Sequence, residues 1–154
     1  MNRLIRVFDR SLIAKIRRIQ MPLARGAIFI IYFWFGALKL IGASPASPMV
    51  AELLQRTIPF LSFEIFIVCL GLYEIAIGIL FLIPRMERLV MLLLLPHLIV
   101  TALPLVFLPA LTWRGILIPT LEGQYIIKNL AIVALALTIA SHLRPVRSKR
   151  GLLW

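Results

Sequence analysis

Cysteine and acidic residues are scarce in this chain. Cys69 is the only cysteine among 154 residues, so one chain cannot form a disulfide, a Cys-X-X-Cys redox pair or a thiolate zinc site. Phosphate-binding loops, nucleophile elbows and metal-ligand motifs are also missing from the sequence, and we predict no metal site. Any redox chemistry must therefore come from a bound cofactor or a partner protein.

Hydrophobic residues are abundant instead: they make up 62% of the chain, whereas charged residues make up 15%. A soluble domain of this size cannot bury so many apolar side chains, because small domains keep much of their surface exposed. The net charge of +11 is compatible with nucleic-acid binding in general, but here the basic residues flank apolar segments. This composition predicts an integral membrane protein whose partner is the lipid bilayer and that binds no nucleic acid.

Four apolar segments are each about 20 residues long or slightly longer, which is enough to cross a hydrocarbon core of about 30 Å. They cover residues 22–43, 60–84, 89–111 and 121–143. Residues 1–21 place apolar and basic side chains on opposite sides of a helix, which predicts an amphipathic interfacial helix. In the first long loop, Ser47 as cap and Pro48 at the first position predict a short outer helix. We therefore predict an all-α four-helix membrane bundle over residues 22–143, followed by a basic tail at 144–154.

The basic residues of the connections predict the orientation of the bundle. Twelve of them lie in the two tails and in the connection after the second span. The other two connections contain only Arg56 and Arg114. Because basic connections stay in the cytoplasm, we expect both termini to be cytoplasmic.

Several polar residues lie within the predicted spans, where an ionised group costs at least about 2.5 to 3.5 kcal/mol unless it is paired or neutralised. Helical phase places three glycines on inward faces, where they allow close helix approach. Phase and depth also predict a polar core, with an outer charge cluster above a carboxylate and an imidazole about 21 Å deep. Ion pairs that hold the bundle together explain the outer cluster as well as ligand contacts do. The glycines are Gly36, Gly71 and Gly78; the outer cluster is Lys39, Glu64, Glu122 and Lys128; the deeper pair is Glu74 and His97; Tyr125 and Asn129 complete the core.

Five segments of the chain resemble the DoxX superfamily, and most closely its YkgB-like branch. They are FWFGALK at 33–39, SPASPMV at 44–50, GLYEIAIGILFLIP at 71–84, TALPLVFLP at 101–109 and EGQYIIKNL at 122–130. The resemblance implies a four-helix protein of a bacterial inner membrane, associated with redox enzymes that include a thiosulfate and quinone oxidoreductase and antioxidant partners. The family pattern falls on Gly36, Lys39, Pro48, Glu74, Gly78, Thr101, Pro104, Glu122, Gly123 and Lys128.

The leading functional hypothesis is a redox-associated subunit, accessory rather than an autonomous enzyme, that binds a quinone or a small anion between spans one, two and four. In this hypothesis Lys39 and Lys128 attract the ligand, Glu74 and His97 relay a proton, and Glu122 holds a lysine in place. Two alternatives stay open at this point. One is a small carrier or permease component, which with four spans would have to form a homo-oligomer. The other is a non-catalytic assembly or stress-response factor.

Overall fold

The computed structural model describes residues 3–143, with side chains from Phe8 onward. The predicted basic tail at 144–154 lies outside the described residues. The regular elements of the described part are helices, apart from one small hairpin. Its elements are α1 (Arg3–Leu40), α2 (Ser47–Thr57), α3 (Phe63–Leu82), α4 (Glu87–Ala102), α5 (Pro104–Phe107), α6 (Pro109–Thr112), β1 (Trp113–Gly115), β2 (Ile118–Pro119) and α7 (Leu121–Ser141).

Four helical segments are long and apolar enough to cross a membrane: Phe8–Leu40, Phe63–Leu82, Glu87–Phe107 and Leu121–Ser141. The prediction of an all-α membrane bundle is therefore confirmed. Because the number of spans is even, the described chain enters and leaves the bundle at one face, which we call the terminal face. Helix α2 and the β1–β2 hairpin lie at the opposite face, which we call the loop face.

The first helix is longer than the sequence predicts. The expected interfacial segment and the first span form one continuous helix of 38 residues, with Pro22 inside it. The helix can continue because proline removes a single backbone donor while its fixed φ suits helical geometry. Residues 8–20 are exposed, and Ala24 is the first buried residue from Phe8 onward.

The third span and the loop face also differ from expectation. Pro96 is accommodated inside α4, and the span is interrupted after Ala102; Pro104 and Pro109 then each start a short helix, a position where a missing N–H costs nothing. The connection after this span contains an antiparallel hairpin that the sequence did not predict. Helix α2 starts at Ser47 with Ala46 as its N-cap, so Ser47 does not cap it.

The side chain and the backbone of Thr120 attach the hairpin to the last helix. The Thr120 hydroxyl caps α7 by accepting a bond from the Gly123 N–H at 3.1 Å, and the Thr120 N–H donates to the Thr112 carbonyl at 3.0 Å. A Cβ atom added to Gly123 would lie 2.2 Å from the Thr112 carbonyl oxygen. Only glycine therefore allows α7 to start this close to the hairpin.

The most intimate helix contact joins α1 and α3. A Cβ atom added to Gly36 would lie 2.6 Å from the Gly71 carbonyl oxygen, and one added to Gly78 would lie 3.0 Å from the Phe33 nitrogen. Because these glycines have no side chains, the two backbones can lie close together. On the side of this contact nearer the terminal face, the apolar core of the bundle includes Ile28, Ile77, Phe81, Val90, Leu94 and Ile139.

Candidate functional site

Four polar side chains from three helices meet inside the bundle; we call Tyr32, Lys39, Glu74 and His97 the buried network. Lys39 Nζ donates to Glu74 Oε2 at 2.6 Å, and His97 Nε2 lies 3.0 Å from Glu74 Oε1. The Tyr32 hydroxyl lies 3.4 Å from His97 Nδ1. Each of the four residues is at most 7% exposed. Glu74 therefore joins an ammonium to an imidazole through its two separate oxygens.

Helix geometry explains why these groups meet. Tyr32 and Lys39 are seven residues apart on α1, which is about two turns and puts them on one face. Side chains on a helix lean toward its N-terminus, so Lys39 leans from the loop face toward the terminal face. Glu74 lies on α3, which runs the other way, and leans back toward Lys39. Lys39 of the predicted outer cluster is thereby joined to the deeper pair, Glu74 and His97.

Two tyrosine rings hold the His97 imidazole. The Tyr73 ring is stacked on it with centroids 6.1 Å apart, and the Tyr32 ring meets it edge-on at 5.2 Å. The Tyr73 hydroxyl donates to the Leu93 carbonyl at 2.7 Å, which fixes its ring in turn. Sequence reasoning missed Tyr73, because nothing in the pattern of α3 distinguishes this ring from one that faces lipid.

Of the two neutral tautomers of His97, one satisfies both of its hydrogen-bond contacts when Glu74 is ionised. With its proton on Nε2, the imidazole donates to Glu74 and accepts from the Tyr32 hydroxyl at Nδ1. The network then forms an ordered series of donors and acceptors from a phenol to a carboxylate. Such a series can pass a proton along its length or can simply fix three helices to one another.

The other predicted core residues are not in the network. Glu64, Glu122, Tyr125 and Lys128 are exposed on the bundle, and Asn129 is half-buried. Lys128 Nζ lies 5.2 Å from the centroid of the Tyr125 ring on its own helix. The inference that Lys128 shares an interior with Lys39 and Glu74 is thus corrected.

The rotation of α7 gives the reason for this correction. Helix α7 turns Gly123 and Ile126 to the interior, and at 100° per residue Lys128 points about 140° or more away from both. The expectation that Glu122 holds a lysine also differs from the structure. Within residues 8–143, Glu122 forms no ion pair, and the partner of Lys39 is Glu74.

A second ion pair closes the terminal end of the bundle. The Arg25 guanidinium donates to the Glu87 carboxylate at the start of α4 and to the Phe81 carbonyl near the end of α3, the latter at 3.4 Å. We call this contact the Arg25 clasp. It holds α1 to both neighbouring helices near the terminal face.

A crevice of about 190 Å³ lies between α4 and α7. Its walls are apolar except for Thr101 and Asn129, and Thr101 is one helical turn beyond His97 on α4. The Thr101 hydroxyl donates to the Leu98 carbonyl at 3.0 Å, which leaves its oxygen free to accept. The remaining lining residues are Leu98, Ala102, Leu105, Ile126, Ile127, Leu130 and Val133.

Comparisons of the chain with protein-family models, with curated proteins and with solved structures give no match. Among the residues whose placement is described, no three His, Cys, Asp or Glu side chains are grouped so that they could hold a metal ion. The fold therefore defines the class of protein, a four-span α-helical membrane protein with a buried polar network. The DoxX resemblance remains a prediction.

Proposed function

We propose that the chain is a DoxX-like, redox-associated accessory subunit that binds the ring of a quinone within the membrane and supplies protons to it. The observation that carries this proposal is the buried network, in which a phenol, an imidazole, a carboxylate and an ammonium are connected inside the bundle. Reduction of a quinone to a quinol consumes protons as well as electrons. Residues that hold protons away from water suit that demand, and a redox or antioxidant partner protein would supply the electrons.

The crevice between α4 and α7 is the proposed place for the ring. Its volume of about 190 Å³ exceeds the roughly 150 Å³ of a protein cavity that holds benzene, so one substituted ring fits. The Asn129 amide can donate to a ring carbonyl, and apolar side chains cover the faces of the ring. An isoprenoid tail would extend into the surrounding lipid.

The charges of the described residues favour an uncharged ring over a small anion. The ammonium of Lys39 is balanced by Glu74 at 2.6 Å, and Lys128 lies on the exposed side of α7. The crevice itself contains no charged side chain. An anion placed there would lose its hydration without gaining a counter-ion, which is costly in a low-dielectric site.

Thermal unfolding in mild detergent tests the proposal with a short-chain benzoquinone as the probe. We expect the quinone to raise the melting temperature of the wild-type protein, because a ligand that binds only the folded state stabilises it. Asn129→Leu removes the proposed amide donor and should abolish most of the shift. Gln124→Leu is the matched control, since it removes an exposed amide from the same helix outside the crevice. The absence of any shift in the wild-type protein, together with no quinone in purified samples, would contradict the proposal.

A non-catalytic assembly factor is the second candidate. The observation that favours it is the closure of the network: among the described residues, every fully buried side-chain nitrogen and oxygen has a hydrogen-bond partner. A closed network can serve as a clamp for three helices without any ligand. If quinone has no effect while substitution of Glu74 strongly destabilises the bundle, the assembly role is the better explanation.

The cellular location completes the proposal. We place the chain in a bacterial inner membrane with both termini in the cytoplasm, on the strength of the basic residues at the terminal face and of the DoxX resemblance.

A further inference from the structure

The stretch of α1 from Phe8 to Gln20 has no protein partner within the described residues. All thirteen of its residues are exposed, although Phe8, Leu12, Ile16 and Ile19 are large and apolar. At 100° per residue these four side chains fall within about 80° of one another and form one stripe. The stretch also has four basic residues, Arg10, Lys15, Arg17 and Arg18, and one acidic residue, Asp9.

The length of α1 shows that this stretch cannot lie within the bilayer along with the rest of the helix. A helix of 38 residues is about 57 Å long, whereas the hydrocarbon core is about 30 Å thick. If the helix stays straight, the apolar stripe projects into water on the terminal face. Exposure of such a stripe is unfavourable, and lipid headgroups and acyl chains lie directly beside the point where the stretch emerges.

Pro22 marks the place where α1 can bend at lowest cost. Met21 packs against the core, Ala24 is buried, and the Arg25 clasp fixes α1 to α3 and α4. From Met21 onward α1 is therefore held by its neighbouring helices, whereas residues 8–20, which precede Met21, are not held. Proline lacks an N–H, so the Arg18 carbonyl has no partner from the usual i to i+4 pattern. The weakest turn of the helix coincides with the boundary between its held and free parts.

We propose that the stretch Phe8–Gln20 folds at Pro22 onto the bilayer surface and binds anionic phospholipid of the membrane that the spans occupy. The apolar stripe would enter the boundary between headgroups and acyl chains, while the basic side chains would contact the lipid phosphates. Charge complementarity selects anionic lipid as the partner, because four basic residues stand against one acidic residue. The proposal is independent of quinone binding, since it involves no residue of the crevice or of the buried network.

The test uses the full chain in nanodiscs, in a Cys69→Ser background with one engineered cysteine carrying an environment-sensitive fluorophore. Leu12→Cys reports on the apolar stripe, and Ala14→Cys is its matched control because that position points about 160° away. Discs contain either phosphatidylcholine alone or phosphatidylcholine mixed with phosphatidylglycerol. We expect the label at position 12 to shift to the blue in anionic discs, and the label at position 14 to remain in water.

Three further measurements test the proposed cause. High salt and the double substitution Arg10→Gln with Arg17→Gln should each reduce the shift at position 12, because both weaken attraction to anionic headgroups. Pro22→Ala should lower the shift at position 12 by about half or more, since this substitution restores the missing backbone hydrogen bond and stiffens the turn. Labels that remain in water at both positions, or a shift that is equal in neutral and anionic discs, would overturn the proposal. Unchanged helix content by circular dichroism would show that each variant is folded.

Discussion

Glu74 is the residue on which the buried network depends. Its two oxygens accept from different partners, Lys39 at 2.6 Å and His97 at 3.0 Å, and the carboxylate is almost completely buried. A charged pair at this depth is tolerated because each ion satisfies the other. The net gain from the pair is small, since removing both ions from water is expensive, but the loss of one partner leaves an uncompensated charge in the bundle.

We therefore expect Glu74→Gln to lower the free energy of unfolding by about 3 to 5 kcal/mol, which is typical when one partner of a buried ion pair is removed. Lys39→Met in the same chain should recover most of this loss, because it removes the unpaired ammonium. Glu64→Gln is the matched control on α3: Glu64 is exposed in the first helical turn, and its loss should cost less than about 1 kcal/mol. The measurement is equilibrium unfolding in detergent. A Glu74→Gln protein as stable as the wild type would show that the ion pair contributes nothing to the bundle.

At the scale of the elements, the contact between α1 and α3 determines the position of the network. The backbones approach so closely at Gly36 and Gly71 that neither residue has room for a Cβ atom. This approach brings Lys39 beside Glu74. A change in helix separation at the glycines is thus expected to change the geometry of the site one turn away.

Gly36→Ala should accordingly destabilise the bundle by about 1 to 3 kcal/mol, the usual range for overpacking a filled interior. Its added Cβ would lie 2.6 Å from the Gly71 carbonyl oxygen, and backbone atoms cannot move aside as a flexible side chain can. Gly26→Ala provides the control on the same helix, because no atom lies within 4 Å of the added Cβ. That control should be neutral or should gain up to about 1 kcal/mol from helix propensity. The measurement is the melting temperature of each variant in detergent. Equal melting temperatures for Gly36→Ala and Gly26→Ala would contradict the proposed close packing.

Helical periodicity and depth predicted a large part of these elements. The four spans follow from the length of the apolar segments, and the phase of α1, α3 and α4 places Lys39, Glu74 and His97 on facing sides. The same reasoning overestimated the site at Lys128 and Glu122, because phase shows which residues share a face of a helix but not which face turns to the bundle. In α7 the buried residues near these two are Gly123 and Ile126.

Other features depend on contacts between distant parts of the chain and could not be predicted from local sequence. The hairpin before α7 is held by Thr120 and Gly123 against the Thr112 backbone. The stacking of Tyr73 on His97 requires α3 and α4 to pack at one particular rotation. The predicted first span begins at Pro22, yet Pro22 lies inside the longer helix α1.

At the scale of the whole molecule, charge is distributed unevenly between the two faces. Of the fourteen basic residues in the connections and tails, six lie between Arg3 and Arg18, two are Arg85 and Arg88, and four lie between Arg144 and Arg150. These twelve precede the first span, connect the second span to the third, or follow the fourth. The loop face has Arg56, which is paired with Glu52, and Arg114. Positive charge resists transfer across the membrane during insertion, so this asymmetry predicts a single orientation.

Cysteine labelling in intact bacterial cells tests that orientation. In a Cys69→Ser background, we expect Gly115→Cys in the hairpin to react with a membrane-impermeant maleimide. Ser11→Cys and Ser148→Cys should react only after the cells are permeabilised. Gly115 is a suitable site because an added Cβ would make only an ordinary contact, at 3.5 Å from Ile118. If positions 11 and 148 are labelled in intact cells and position 115 is protected, the orientation is the opposite of the one predicted. The stretch proposed to bind anionic lipid would then lie on the outer leaflet, where the positive-inside rule does not place it.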